Sequence, residues 1–103
     1  MRLVFSELAS LEVDEMWMDV LEASKDVETA DRYRREFLEK LHEKVRYPRS
    51  GAPIYRKGVF TGYYFIVYKE YMAFYQVEGD ELRVIRVMMR KKDYLNRLFG
   101  HRW

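Results

Sequence analysis

The 103-residue sequence has no cysteine and two histidines, and this scarcity excludes several kinds of site. Without cysteine there is no disulfide framework and no thiolate metal site, and two separated histidines offer no metal-ligand spacing. No apolar run approaches the roughly 20 residues that span a bilayer, and the N-terminus lacks a signal-peptide pattern. Glycine-rich phosphate loops and the Gly-x-Ser-x-Gly elbow are also missing. We therefore expect a cytoplasmic protein without membrane segment, metal or cofactor.

The sequence does contain enough apolar residues for a core, and its charge is unevenly distributed. It is 49% hydrophobic and 35% charged, which suits one domain spanning residues 1–103. Residues 1–31 carry nine acidic and two basic residues, a net charge of −7, whereas residues 32–69 carry +7 and residues 83–103 carry +6. This polarity favours either a positive face for an anionic partner or an acidic helix that pairs with basic neighbours.

Two amphipathic helices are predicted in the first half of the chain. Ser6 followed by Glu7 is typical of a helix start, with a capping hydroxyl and an acid in the first turn. A spacing of three and four residues relates the apolar positions Val13, Met16, Trp17, Val20 and Leu21. The second helix repeats this spacing at Ala30, Tyr33, Phe37, Leu41 and Val45. Pro48 and Gly51 then predict a loop over Tyr47–Pro53.

From Ile54 onward the apolar period changes to two, which indicates β-strands. The predicted strands are Tyr63–Tyr68, Tyr71–Val77 and Leu82–Met89, with a possible edge strand at Arg2–Phe5 and a short C-terminal helix at Lys92–Phe99. Short turns join the three main strands, so we expect them to be antiparallel. The predicted fold class is α+β, with an N-terminal helical hairpin packed on one face of a small twisted antiparallel sheet.

The order of these segments resembles the RelE/ParE family of bacterial toxins. Members have a short strand, two antiparallel helices, a Pro-x-x-Gly-type loop and a meander. Here the loop is Tyr47-Pro48-Arg49-Ser50-Gly51, and the closing segment Tyr71–Asp93 holds a hairpin, Arg86-Val87 and a basic cluster. The resemblance implies the toxin of a type II toxin–antitoxin system, neutralised by a cognate antitoxin. RelE-like members cut mRNA on the ribosome, and ParE-like members inhibit DNA gyrase.

The resemblance also implies site residues, but at two of these positions the residue differs from the one found in RelE-like nucleases. RelE-like members place an arginine after the tyrosine of the penultimate strand, and many carry a histidine or tyrosine after the last strand. Here these positions are Met72 and Met89, which supply neither a phosphate-binding charge nor a proton. A residual catalytic site would use Arg90, Lys92 and Tyr94. Contacts to RNA or another target are predicted for Arg56, Lys57, Arg86 and Lys91.

Three functions remain open at this point. The first is a toxin that binds a cellular target such as gyrase or the ribosome and needs no catalytic residue. The second is a ribosome-dependent mRNA endoribonuclease with an altered site. The third is a binding module that keeps the fold without toxicity. The two methionines favour the first and third, whereas the family at large favours the second.

Overall fold

A computed structural model describes residues 1–90 of the chain. The elements in chain order are β1 (Arg2–Phe5), α1 (Glu7–Ser24), α2 (Val27–Arg46), a 3-10 turn (Pro48–Ser50), β2 (Ala52–Arg56), β3 (Val59–Tyr68), β4 (Tyr71–Glu78) and β5 (Glu81–Met89). The two helices pack against one face of the sheet, as predicted. The helix expected at Lys92–Phe99 lies outside the described residues. No helix in residues 1–90 is long and apolar enough to cross a bilayer.

Both helices begin at side-chain caps that can be recognised in the sequence. The Ser6 hydroxyl accepts a hydrogen bond from the Ala9 N–H at 3.0 Å, satisfying a donor that has no partner within α1. At the end of α1, Lys25 adopts a left-handed conformation with φ 58°, and its N–H donates to the Leu21 carbonyl. Asp26 then caps α2, and the hydrogen bond from the Thr29 hydroxyl lowers the pKa of its carboxyl. The hairpin therefore turns within two residues.

The sheet has five strands in the order β1-β5-β4-β3-β2 and is mixed. Strands β3 to β5 form the predicted antiparallel meander, and β2 adds a fourth antiparallel strand. Strand β1 runs parallel to β5, from Arg2 opposite Glu81 to Phe5 opposite Val84. The predicted antiparallel pairing of the three main strands is therefore confirmed, and the edge strand β1, whose direction was not predicted, makes the sheet mixed. A parallel pair needs a long crossover, and here the rest of the chain supplies it. The four residues of β1 contain no local sequence signal that would show whether the strand pairs in parallel or antiparallel.

The meander begins earlier than predicted, with a hairpin of β2 and β3. Strand β2 begins at Ala52, inside the expected loop, and β3 begins at Val59, four residues before Tyr63. Lys57 and Gly58 form the intervening two-residue turn, with φ of 52° and 79°. Such turns usually hold asparagine or aspartate before the glycine, so a lysine conceals the signal.

The core lies between the helices and the sheet, and a second apolar cluster occupies the opposite face. Met16, Phe37 and Leu41 are buried against the alternate β4 residues Tyr71, Ala73 and Tyr75. The second cluster consists of Ile54, Met72, Phe74 and Met88. Successive strand residues point to opposite faces, which explains the division.

Trp17 is a further departure from the predicted core. The side chain is partly exposed, and its indole N–H donates to Asp31 Oδ1 of α2 at 2.8 Å. The Arg34 guanidinium lies 5.6 Å from the centre of its ring. Trp17 therefore joins the two helices at the surface, while the neighbouring Met16 is 1% exposed and fills the core.

Candidate functional site

Arg90, the central residue of the predicted catalytic cluster, lies immediately after β5 and is exposed. Its backbone N–H donates to the Glu70 carbonyl at 2.8 Å, and its Nη1 donates to the Lys69 carbonyl at 3.1 Å. Both acceptors belong to the turn between β3 and β4. These bonds fix Arg90 at one end of the sheet, next to the tips of strands β3 and β4.

A groove opens beside Arg90, where this end of the sheet meets the helical hairpin. The groove has a volume of about 510 Å³ and is lined by Asp19, Val20, Ala23, Ser24, Thr29, Tyr33, Lys69, Glu70, Tyr71 and Met89. The Tyr71 hydroxyl donates to Asp19 Oδ2 at 3.1 Å. Burial raises the pKa of Tyr71 above its ordinary value, and this hydrogen bond to a carboxylate raises it further by a smaller amount. The hydroxyl therefore stays protonated at neutral pH and serves as a donor.

The cation nearest to this groove is engaged by the chain's own aromatic rings. Lys69 Nζ lies 5.1 Å from the ring centre of Tyr33 and 5.3 Å from that of Tyr68. The two rings meet edge to face at 5.0 Å, and burial raises the pKa of Tyr33. An ammonium held over two rings is attracted by both ring faces. Lys69 therefore stabilises the turn that holds Arg90.

Met72 and Met89, the two positions where a RelE-like nuclease carries functional groups, point to opposite faces of the sheet. Met89 pairs with Tyr71 in the β4–β5 register and lies on the helix side, beside the groove. Met72 pairs with Met88 and is buried in the cluster on the opposite face. Because cross-strand partners share a face, these two positions are not side by side in one site.

Arg86, a predicted target contact, forms an ion pair with Glu12 of α1. Its Nη2 donates to Glu12 Oε2 at 2.8 Å, and its Nε lies 3.1 Å from both carboxylate oxygens. Glu12 Oε1 also accepts the Val87 N–H at 2.9 Å. β1 pairs with β5 as far as Val84, so the carboxylate bonds a backbone donor of β5 beyond the end of that pairing. The Arg86 guanidinium is thus part of the contact between α1 and the sheet.

Arg56 and Lys57 lie at the opposite end of the sheet from Arg90. They belong to the β2–β3 turn, and the ten residues of β3 separate that turn from Lys69. At about 3.3 Å per residue, the two ends are roughly 30 Å apart. The structure therefore does not bring Arg56 or Lys57 together with Arg90.

The other predicted site residues, Lys91, Lys92 and Tyr94, lie outside the described residues, and their roles stay predictions. In the described part, the groove by Arg90 offers tyrosine hydroxyls, carboxylates and the ammonium of Lys69. None of the groups placed there by residues 1–90 is a histidine.

Comparisons with known proteins agree with this fold. A family model described as the ParE toxin of the type II toxin–antitoxin system, parDE, matches residues 3–94. The chain belongs to the ParE toxin family. It also resembles a solved structure, the chromosomal ParDE toxin–antitoxin system from P. aeruginosa, with 17% identity and a TM-score of 0.71. That match covers 86% of this chain and 95% of the other. A search of curated proteins found no match.

As a ParE-type toxin, the chain contains two features that its sequence did not make obvious. Glu12 lies four residues before Met16, on the buried side of α1, and this position indicates a carboxylate that needs a partner. Tyr55 and Phe60 flank the turn that carries Lys57, and both remain exposed. The predicted strand begins at Tyr63, beyond Phe60, so the prediction does not pair Tyr55 with Phe60 as the structure does.

Proposed function

We propose that this ParE-type toxin stops growth by binding a cellular target, with DNA gyrase favoured over the ribosome, and without cleaving RNA. Gyrase and ribosomes both work in the cytoplasm, so the toxin is expected to act there. The ParE family match supports gyrase, because inhibition of gyrase is what the ParE-like branch implies.

The observation that carries this proposal is the placement of Met72 and Met89. RNA cleavage by a 2′-hydroxyl needs a base, cations for the phosphate and an acid for the leaving oxygen. Two thioethers on opposite faces of the sheet supply none of these. Loss of one charge-stabilising group costs ~10²–10³ in rate, and loss of a proton-transfer group costs ~10²–10⁴. A RelE-type activity would then fall near background.

We further propose that a cognate antitoxin neutralises the toxin by folding onto its surface. Exposed aliphatic side chains lie on α1 at Leu8, Leu11 and Met18, within the acidic N-terminal segment. An antitoxin segment on this helix should carry cations, whereas a segment on the basic part of the chain should carry carboxylates. The product of a neighbouring co-transcribed gene should co-purify with this chain. Its failure to do so would contradict antitoxin neutralisation.

Expression in bacteria tests the target. Plasmid supercoiling and primer extension on translated mRNA are followed during the first minutes after induction, alongside growth. We expect growth arrest with altered supercoiling before any change in mRNA. Arg90→Ala is compared with Arg83→Ala, which removes an exposed arginine from β5, the strand that Arg90 follows.

Three results would contradict the proposal. Strong cleavage in the ribosomal A site that vanishes with Arg90→Ala and persists with Arg83→Ala would make Arg90 a catalytic residue of a nuclease. Normal growth at high expression would instead favour a binding module that has kept the fold. Unchanged supercoiling with blocked translation and intact mRNA would move the target to the ribosome.

A further inference from the structure

The turn between β2 and β3 carries an exposed surface of aromatic and basic side chains. It consists of the exposed Tyr55, Lys57 and Phe60 and the half-buried Arg56, which we name the hairpin-tip surface. Tyr55 is 59% exposed and Phe60 is 42% exposed, although both are large rings. Lys57 is exposed at the turn itself. Large exposed rings grouped on one element are uncommon on a free surface and indicate binding.

The two exposed rings are the outer end of a packed row of aromatic side chains. Tyr55 and Phe60 lie 5.8 Å apart, Phe60 and Tyr64 5.2 Å apart, and Tyr64 stacks on Tyr75 at 5.4 Å. Tyr75 is fully buried, and its hydroxyl donates to the Pro48 carbonyl at 2.9 Å. The core therefore holds the outer rings in place. A ligand that stacks on them has less ordering entropy to overcome.

The chain segment that carries these rings has charges of one sign, whereas the β4–β5 turn at the same end of the sheet holds Glu78, Asp80 and Glu81, of which Glu81 pairs with Arg2 and Arg83. Residues 44–68 contain five basic residues and no acidic residue. Within the described residues 1–90, no carboxylate forms an ion pair with Arg46, Arg49 or Lys57. Among the described residues, therefore, no carboxylate competes with an anionic ligand for Lys57.

The exposed apolar groups of α1 provide a contrast. There, aliphatic side chains lie in a segment of net charge −7, a combination that suits a helix of a protein partner. At the hairpin tip, rings lie among cations and carboxylates are absent from the segment. Rings that stack on bases beside cations that meet phosphates are typical of surfaces that bind single-stranded nucleic acid.

We propose that the hairpin-tip surface binds single-stranded nucleic acid. The rings of Tyr55 and Phe60 stack on bases, and Lys57 contacts the phosphate backbone. The site is distinct from the groove beside Arg90, at the other end of β3. The proposal does not depend on whether gyrase or the ribosome is the toxin's target, because it concerns only the binding of nucleic acid by this surface.

The test measures the fluorescence anisotropy of a labelled mixed-sequence oligonucleotide with the purified full-length chain. Single-stranded DNA, single-stranded RNA and duplex DNA are titrated at several salt concentrations. Each of Tyr55→Ala and Phe60→Ala should weaken binding of the single strands by about fivefold or more, as expected for loss of one stacked base. Circular dichroism confirms that the variants fold.

A matched pair of substitutions tests how much the charge of Lys57 contributes to binding. Lys57→Asn removes the cation but suits the left-handed φ of 52° and creates an Asn-Gly turn. It should reduce the slope of log affinity against log salt by about 0.7. Lys25→Asn makes the same change at an exposed lysine with φ 58° at the end of α1, and it should leave binding unchanged.

Four outcomes would overturn the proposal. One is a wild-type chain that binds no oligonucleotide, and another is equal binding by the wild type and both alanine variants. The third is tighter binding of polyglutamate than of any oligonucleotide, with the same dependence on Tyr55 and Phe60. That result would assign the surface to an acidic protein. Equal affinity for single and double strands would likewise exclude stacking.

Discussion

Glu12 of α1 and Arg86 of β5, 74 positions apart in the sequence, form a nearly buried ion pair that also bonds the Val87 N–H. The side chains are 8% and 16% exposed. Removal of one partner leaves the other charge in a poorly hydrated position, whereas removal of both leaves none. This asymmetry makes the pair a test of how α1 is fixed to the sheet.

Glu12→Ala should lower the free energy of unfolding by about 3–5 kcal/mol, because it leaves a buried guanidinium and an unpaired backbone donor. Adding Arg86→Met should recover part of that loss. Glu15→Ala, an exposed carboxylate one turn further along α1, should stay within about 0.5 kcal/mol. Urea unfolding followed by circular dichroism measures all three. Equal costs for Glu12→Ala and Glu15→Ala would show that the pair contributes nothing.

Gly51→Ala should destabilise the fold by about 1–3 kcal/mol through overpacking. A Cβ at this position would overlap the Tyr75 hydroxyl, whereas the backbone, at φ −70° and ψ 170°, accepts any residue. Tyr75→Phe removes the overlapping oxygen, so Gly51→Ala should cost less in that background. A thermal-unfolding double-mutant cycle measures the coupling. Additive costs would contradict a direct contact between the two residues.

The helices and the last two strands could be predicted from the sequence because their signals are local. Each of the helix signals concerns a single helix. Ser6 caps α1, Asp26 caps α2, and the 3.6-residue spacing of Phe37 and Leu41 belongs to α2. The parallel pairing of β1 with β5 could not be predicted, since it depends on residues about 80 positions apart. Pairings between residues so far apart in the sequence are visible only in the structure.

Which candidate site residues lie close together depends, like the pairing of β1, on contacts between distant elements. Sequence proximity correctly placed Arg90 at the end of β5, next to a turn. Whether Arg56 lies near Arg90 depends on the length and direction of β3, and the predicted strand was four residues too short. The role of Arg86 depends on a carboxylate in another element. A pattern of cations along the chain does not reveal which of them are already paired.

Stability should fall at alkaline pH, and Tyr71 should contribute to the fall. Burial and the Asp19 hydrogen bond raise its folded-state pKa above the value of about 10 in the unfolded chain. The stabilisation is complete below pH 10 and is lost as the pH rises towards the folded-state pKa. In that interval the unfolded chain releases the proton first, which costs up to about 1.4 kcal/mol per pH unit for one tyrosine.

Tyr71→Phe should therefore make the unfolding free energy less dependent on pH between about 10 and 11. Asp19→Asn should have a smaller effect in the same direction, because it removes the charge that helps to hold the proton. Asp14→Asn, at an exposed position of α1, is the control. Denaturant titrations at several pH values provide the slopes. A slope that is unchanged in Tyr71→Phe would contradict the assignment.

Trp17→Ala should cost about 1–2 kcal/mol, less than the roughly 3–5 kcal/mol expected for a fully buried tryptophan. The indole is partly exposed, so its contribution comes from the Asp31 hydrogen bond, the contact with Arg34 and partial burial. Trp17→Phe keeps a ring and loses the N–H, so it should cost less than the alanine variant. Met18→Ala, at the exposed neighbouring position, should stay within about 0.5 kcal/mol. Urea unfolding followed by circular dichroism decides the matter, since fluorescence would change with the tryptophan itself. A cost above about 3 kcal/mol for Trp17→Ala would place the ring in the core after all.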